Sequence, residues 1–275
     1  MRHKKHESSP EEISEQELSY FELQAYWGAT KHGGALKGTR ELIELCHIDK
    51  NKYILEVGCG VGITSCYIAK VYGCRVIGVD ISEKMIKWSN ERAKRDGVGN
   101  SVEFRVADAQ NLPFEDDVFD VVIGESVTAF LKDKQRGVNE YVRVTKPGGY
   151  VGLNEVTWIK VPPPTELVKY YSRTTGAEPE NSGGWRELLE GSGLRDLVVR
   201  TYKLDVLSDF IDRIKRLGSE DFPRALYKFV SLSISSPAFR RYMKETLPPL
   251  KITQDVLKYL GYGIYVGRKF AQASG

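Results

Sequence analysis

Five short apolar runs separated by helical patterns constrain this chain more than any other feature: YILEVG (53–58), CRVIGVD (74–80), VEFRVAD (102–108), FDVVIGES (119–126) and GYVGLNEV (149–156). Between them, apolar residues recur at helical spacing over 63–71, 83–96 and 134–145. Strand and helix in alternation build a parallel sheet covered on both faces, and strands buried on both faces read as near-continuous Val/Ile/Leu segments, as these do. The pattern changes after Trp158. A Pro-rich VPPPT leads to helices near 165–172 and 184–192, then to the strand-like LRDLVVRTYKL (194–204). A helical block follows, with Leu207, Phe210, Ile211, Ile214 and Leu217 on one face, and apolar periodicity continues over 225–260. GYGIYVGRKF (261–270) alternates as a closing strand. The expected class is α/β: a five-stranded parallel core completed by strands six and seven, with a helical insertion between those two. By segment, 1–12 reads as a polar tail, 13–48 as a helical cap, 49–204 as the core, 205–260 as the insertion and 261–275 as the terminal strand and tail.

The first strand leads into the segment that carries chemistry. ILEVGCGVG (54–62) is a strand, then alternate glycines, then a helix, and Asp80 closes the second strand. In that arrangement a backbone turn approaches a nucleotide-like ligand while an acidic side chain accepts from ribose hydroxyls. Asp after a strand also serves as a helix cap, so Asp80 and Asp108 each have a plain structural use. Position 63 separates two ligand classes. A dinucleotide fingerprint starting at Gly58 and Gly60 asks for Gly or Ala there, and the residue is Ile63. A branched side chain disfavours a pyrophosphate, but not a smaller ligand that offers a carboxylate to the loop amides and the helix N-terminus.

Glu56-Val57-Gly58-Cys59-Gly60-Val61-Gly62, VDIS (79–82), ADAQNLPF (107–114), FDVVIGES (119–126) and TKPGGYV (145–151) follow one another in order. Together they resemble the class I S-adenosylmethionine-dependent methyltransferases over about residues 30–160. The family's fold would be a Rossmann-like three-layer sandwich whose seven-stranded, mostly parallel sheet has an antiparallel last strand. The resemblance implies S-adenosylmethionine as methyl donor, S-adenosylhomocysteine as product and no metal. Gly58, Cys59, Gly60 and Gly62 would form the loop against the methionine part, with Glu56 turned to its ammonium. Asp80 would take the ribose hydroxyls, Ile81 and Met85 the adenine face, and Asp108 and the Ala109 amide the ring edge. Glu125 and Ser126 would lie beside the reactive methyl, under a lid carrying Tyr26 and Trp27.

Methyl transfer from a sulfonium is an in-line displacement, so positioning and water exclusion carry much of it, and a base is needed only if the acceptor loses a proton. The candidates for acid-base or polar contact are His32, Glu125 and Glu155. His32 is equally suited to be a hydrogen-bonded loop histidine. Gly124-Glu125-Ser126-Val127 stands where exocyclic-amine nucleic-acid enzymes carry [DN]PP[YF], and no cysteine follows Cys74 to serve as a C5 nucleophile. NLPFEDDVFDVV with RVTKPGG resembles the branch acting on small molecules such as quinones, sterols, tocopherols and phosphoethanolamine. Many of that branch place a histidine after the Glu-Ser pair, where this chain has Thr128, Ala129 and Phe130.

Charge and cysteine usage bound the remaining classes. A net charge of +3 from 40 basic and 37 acidic residues leaves no chain-wide excess for a nucleic-acid partner, so none is expected to bind stably. Residues 203–275 do hold 13 basic against 7 acidic side chains, a surplus that suits a solvated face or an anionic partner. Cys46, Cys59, Cys66 and Cys74 show neither zinc-ligand nor C-x-x-C spacing and read as reduced thiols of a cytoplasmic protein. No apolar run reaches membrane-spanning length. The partners expected are a small-molecule acceptor and a second copy of the chain, the insertion shaping either the acceptor pocket or a homodimer contact. The rival functions are an RNA or protein methyltransferase, a non-catalytic cofactor-binding subunit and a nicotinamide dehydrogenase.

Overall fold

The computed structural model describes residues 32–204 and 229–271, together with Gln24, Pro223, Leu226 and Tyr227. Tyr26, Trp27, the N-terminal tail and residues 205–222 lie outside the described residues. Among the described elements, α1 (Ala35–Leu45) precedes β1 (Tyr53–Val57), α2 (Ile63–Tyr72), β2 (Arg75–Asp80), α3 (Glu83–Asp96), β3 (Val102–Val106) and β4 (Phe119–Glu125). A single 3₁₀ turn (Thr128–Phe130) leads to α4 (Lys134–Val144) and β5 (Thr145–Trp158), followed by α5 (Thr165–Thr175), β6 (Glu180–Asn181), α6 (Ser182–Gly191) and β7 (Arg195–Lys203). Helices α7 (Pro237–Thr246) and α8 (Leu250–Tyr259) then lead to β8 (Leu260–Arg268).

The sheet runs β3-β2-β1-β4-β5-β8-β7, parallel from β3 to β5, with β8 antiparallel between β5 and β7. The expected sheet is therefore present with one addition. The two-residue β6 pairs parallel with Thr157 and Trp158 at the end of β5, making eight strands. A pair of residues leaves no period to read. Asn181 is also occupied elsewhere, since its side chain accepts from the Gly183 and Gly184 amides and caps α6.

Alternation along the strands divides the core into two layers. Ile54, Val76, Val121, Ile123 and Ile264 face one layer, with Leu42, Ile43 and Ile68 from the helices. Leu55, Val57, Ile77, Val122, Val151 and Leu153 face the other, with Tyr141, Trp185 and Leu189. Because successive side chains point to opposite faces, each polar residue at a strand end is assigned a face before any site is considered. Glu56 pairs across from Ile123, and Glu125 from Asn154, so Glu56, Glu125 and Asn154 share the α1–α2 face. Glu155 falls on the other.

Helix α1 runs through Gly38, which is there as a packing residue. A Cβ at Gly38 would stand 2.8 Å from the Gly33 carbonyl and 3.0 Å from Asn154 Nδ2. Asp120, near the start of β4, accepts from the Tyr53 amide at 2.8 Å and from Lys146 at 3.0 Å, a joint between strands well away from the site.

Candidate active site

The strand ends and the loops after them enclose a cavity of about 850 Å³. It opens where β1 stops. Gly58, Gly60 and Gly62 all take positive φ, at 67°, 52° and 74°. At Gly58 the need is double: a Cβ would stand 2.1 Å from Val127 Cγ2, so the loop lies directly on the turn after β4. Gly58→Ala is expected to cost about 1 to 2 kcal/mol through the left-handed backbone alone, with the Val127 clash added to it. Chemical denaturation should show a lowered midpoint at unchanged slope, and cofactor affinity should fall together with it. Gly62 does not line the cavity; it starts α2 and packs against Phe104 and Ser89. The buried Arg92 donates from Nε to the Val61 carbonyl at 2.9 Å and ties the loop to α3.

Three carboxylates face the cavity in order. Glu56 is buried and accepts from Ser65 Oγ, and burial pushes its carboxyl up to about 8. Asp80 accepts from the Gly60 amide at 2.9 Å through one oxygen and from the Ser82 amide at 2.9 Å through the other. Burial raises its pKa against those two hydrogen bonds. A carboxylate offers about four acceptor positions, so Asp80 can brace the loop and still accept from two hydroxyls. Asp108 fixes the turn after β3 through the Gln110 amide at 2.8 Å, beside Ala109. That turn is held from behind. Arg143 donates to the carbonyls of Phe114 at 2.7 Å and Leu112 at 3.0 Å, and Glu140 accepts from the Leu112 amide at 2.8 Å.

Ile81 lies at the mouth, 74% exposed, and Met85 below it packs on Val61. An apolar side chain left open at the rim of a polar cavity suits a planar ring laid against it. Cys59 also lines the space, but burial drives its thiol far above its ordinary pKa and its amide is spent on the Val79 carbonyl at 2.9 Å, so it contributes shape rather than a nucleophile.

At the far end the structure gathers residues that the sequence pattern does not join. Glu125 accepts from Thr64 Oγ1 at 2.8 Å, Asn154 Nδ2 at 3.0 Å and Thr39 Oγ1 at 3.1 Å, and His32 Nδ1 lies 3.2 Å from its Oε2. Donors from α1, α2 and β5 thus surround this carboxylate, with the His32 imidazole against it. A neutral imidazole donating from Nδ1 carries its basic lone pair on Nε2. Ser126, with φ 57°, lines the cavity next to Glu125 and donates its amide to the Asn154 carbonyl at 2.7 Å.

Glu155 requires a correction. It does not line the cavity, because alternation along β5 turns it to the opposite face from Asn154. Fully buried, it accepts from the amides of Val127 at 3.0 Å, Thr128 at 2.7 Å and Ala129 at 3.4 Å, and burial lifts its carboxyl to about 7 against those three donors. It is a positioning residue, holding the turn that places Val127 and Phe130. Thr39, Thr64, Asn154 and Gln24, which also lines the cavity, are site residues absent from the sequence-based set; strand alternation alone marks Asn154 as the site-facing neighbour of Glu125.

The donor set fits S-adenosylmethionine: a buried carboxylate for an ammonium, a second for a ribose and amides at a helix start for a carboxylate. Among the described residues no cluster of metal-ligand type occurs. The family described as a methyltransferase domain matches residues 55–153. An uncharacterized protein of Haemophilus influenzae is 30% identical over 178 residues, covering 64% of this chain and 71% of that one. Phosphoethanolamine N-methyltransferase 1 of Arabidopsis thaliana is 29% identical over 186 residues, covering 66% of this chain. The chain spans only 37% of that relative's length. Among solved structures, phosphoethanolamine N-methyltransferase 2 of Haemonchus contortus, in complex with S-adenosyl-L-methionine, superposes with TM-score 0.70 at 19% identity, covering 91% of this chain and 57% of that one. The [4+2]-cyclase SpnF superposes with TM-score 0.68 at 21% identity, covering 89% of each chain.

Proposed function

This chain belongs to the class I S-adenosylmethionine-dependent methyltransferases, and we propose that it methylates a small molecule, with His32 as the group that receives the acceptor's proton. The observation that carries the reading is the row of carboxylates along one cavity, Asp108, Asp80 and Glu56 from successive strand ends, leading to a histidine held by Glu125. S-adenosylmethionine, when bound, supplies an electrophilic methyl group. The chain's own residues do the rest. Glu56 draws the ammonium, Asp80 grips the ribose, and Asp108 with the Ala109 amide reads the adenine edge. Glu125 orients His32 so that Nε2 accepts a proton, and stabilises the imidazolium that results. The methyl acceptor is taken to be neither nucleic acid nor protein, in keeping with the balanced charge. A cytoplasmic location accords with the four cysteines, all buried and unpaired.

Calorimetry tests the cofactor class: S-adenosylmethionine and S-adenosylhomocysteine should bind in the micromolar range or tighter, and NADH should not. Transfer of a labelled methyl in cell extract, followed by partition into lipid, small polar molecules, RNA and protein, then identifies the acceptor. Label in RNA or protein would replace this reading with the polymer one, and tight cofactor binding without any transfer would favour a non-catalytic subunit. With an acceptor in hand, His32→Gln should lower kcat by about 10²- to 10⁴-fold with little change in cofactor Kd. An unchanged kcat would remove His32 from proton transfer.

A further inference from the structure

The helical residues 229–235, with Pro223, Leu226 and Tyr227 before them in the same conformation, are apolar on two opposite sides. On one side Leu232 is buried and Phe229 meets Phe239 of α7 edge-on, ring centroids 5.6 Å apart. At about 100° per residue, Tyr227, Val230 and Ile234 fall together on the side opposite Leu232. They are 74%, 47% and 76% exposed. The turn between α7 and α8 adds a second apolar projection, Leu247 and Leu250 at 70% and 76% exposure, with the exposed Pro248 and Pro249 between them.

Charge says what such a surface meets. From 223 to 260 the sequence holds seven Lys and Arg against two acidic residues. Arg240 donates to the carbonyls of Ser233 at 3.1 Å and Ile234 at 2.8 Å, which fixes a guanidinium at the end of the stripe. Arg241 and Lys244 are exposed on the same helix, and Lys251 follows the Leu247–Leu250 turn. We propose that this face of the insertion seats the protein on an anionic lipid bilayer. The stripe is a single ridge bearing a tyrosine, edged by serines and cations. That arrangement sinks shallowly between head groups and pairs with their phosphates. A protein groove would have to match the ridge and be acidic as well. No described helix is long and apolar enough to cross a membrane, so the contact is with the surface. The inference is independent of the methyl-transfer reading.

Sedimentation of the full chain with vesicles of phosphatidylglycerol mixed with phosphatidylcholine, beside vesicles of phosphatidylcholine alone, tests it. Binding to the mixed vesicles should be about tenfold or more tighter, and should weaken as salt is raised. The variant Tyr227→Ser, Val230→Ser, Ile234→Ser should lose most of that binding while its cofactor affinity stays unchanged. Arg241→Glu with Lys244→Glu, at exposed positions that leave the apolar stripe intact, should abolish the preference for the anionic vesicles. Failure of the parent to sediment with either vesicle overturns the proposal, as does a serine variant that binds as the parent does. So does a parent that is dimeric without vesicles and becomes monomeric in the serine variant, because a second copy would then cover the face.

Discussion

Asp80→Ala is expected to weaken S-adenosylmethionine binding by about 10²- to 10⁴-fold, because two charge-assisted hydrogen bonds to the ribose are lost at roughly 1.5 to 3 kcal/mol each. A second loss comes with it. The Gly60 and Ser82 amides, each 2.9 Å from an Asp80 oxygen, lose their acceptor, so the glycine loop loosens at the same time. The two effects separate in a cycle with a ligand lacking both ribose hydroxyls. The parent should lose most of its affinity for the dideoxy ligand, whereas Asp80→Ala should bind both ligands alike. Calorimetry in which Asp80→Ala still favours the hydroxylated ligand by as much as the parent does would assign the ribose to another residue. Asn is no neutral control here, since its amide nitrogen would face one of the two backbone donors.

The cycle bears on a division between what a strand-loop-helix pattern discloses and what it hides. Strands β1, β2 and β4 are legible almost to the residue because burial on both faces leaves an unbroken apolar run, and α3 because Ser82 caps it in front of a clear helical period. The glycine loop is legible for a related reason: positive φ, and at Gly58 a close approach to Val127, restrict which residue types can stand there. Glu155 misleads because it is near the strand end in sequence without being near the cavity, the two-residue period separating it from Asn154. Thr39 and Thr64 carry no signal of their own, and Asn154 only that of strand alternation. They matter only because α1, α2 and β5 bring them to one carboxylate across separations of 86, 61 and 29 residues. The same holds for His32, whose place beside Glu125 comes from the packing of the segment before α1, including Asn154 Nδ2 donating to the Gly33 carbonyl at 3.0 Å. Periodicity reports which face a residue takes within one element; it does not report which elements meet.

Glu56 turns this geometry into a dependence on pH. Burial, with Glu125 nearby adding to it, raises its carboxyl from the ordinary 4.5 to about 8, and Ser65 opposes the shift only in part. Between those two values the folded protein without ligand holds a proton that the unfolded chain has released. The contribution of Glu56 to stability is therefore present at low pH and lost as pH rises through 8, at up to about 1.4 kcal/mol per unit. An ammonium placed against it favours the carboxylate, so ligand binding must first expel the proton. Affinity for S-adenosylhomocysteine, which carries the same ammonium, should rise about tenfold per unit from pH 6 and level off near 8. Calorimetry at pH 6.5 in buffers of different ionisation enthalpy should register close to one proton released per ligand. Glu56→Gln should give a flat binding profile over the same range and bind about 10²-fold more weakly than the parent at pH 8, while its melting temperature falls less steeply with pH, the buried Glu155 carboxyl still contributing below about 7. A parent whose affinity does not change between pH 6 and 8 would mean that the ammonium sits elsewhere. In that case the buried carboxylate under the glycine loop would be a proton-holding strut for α2 through Ser65, and the cavity would have to be read from Asp80 outward.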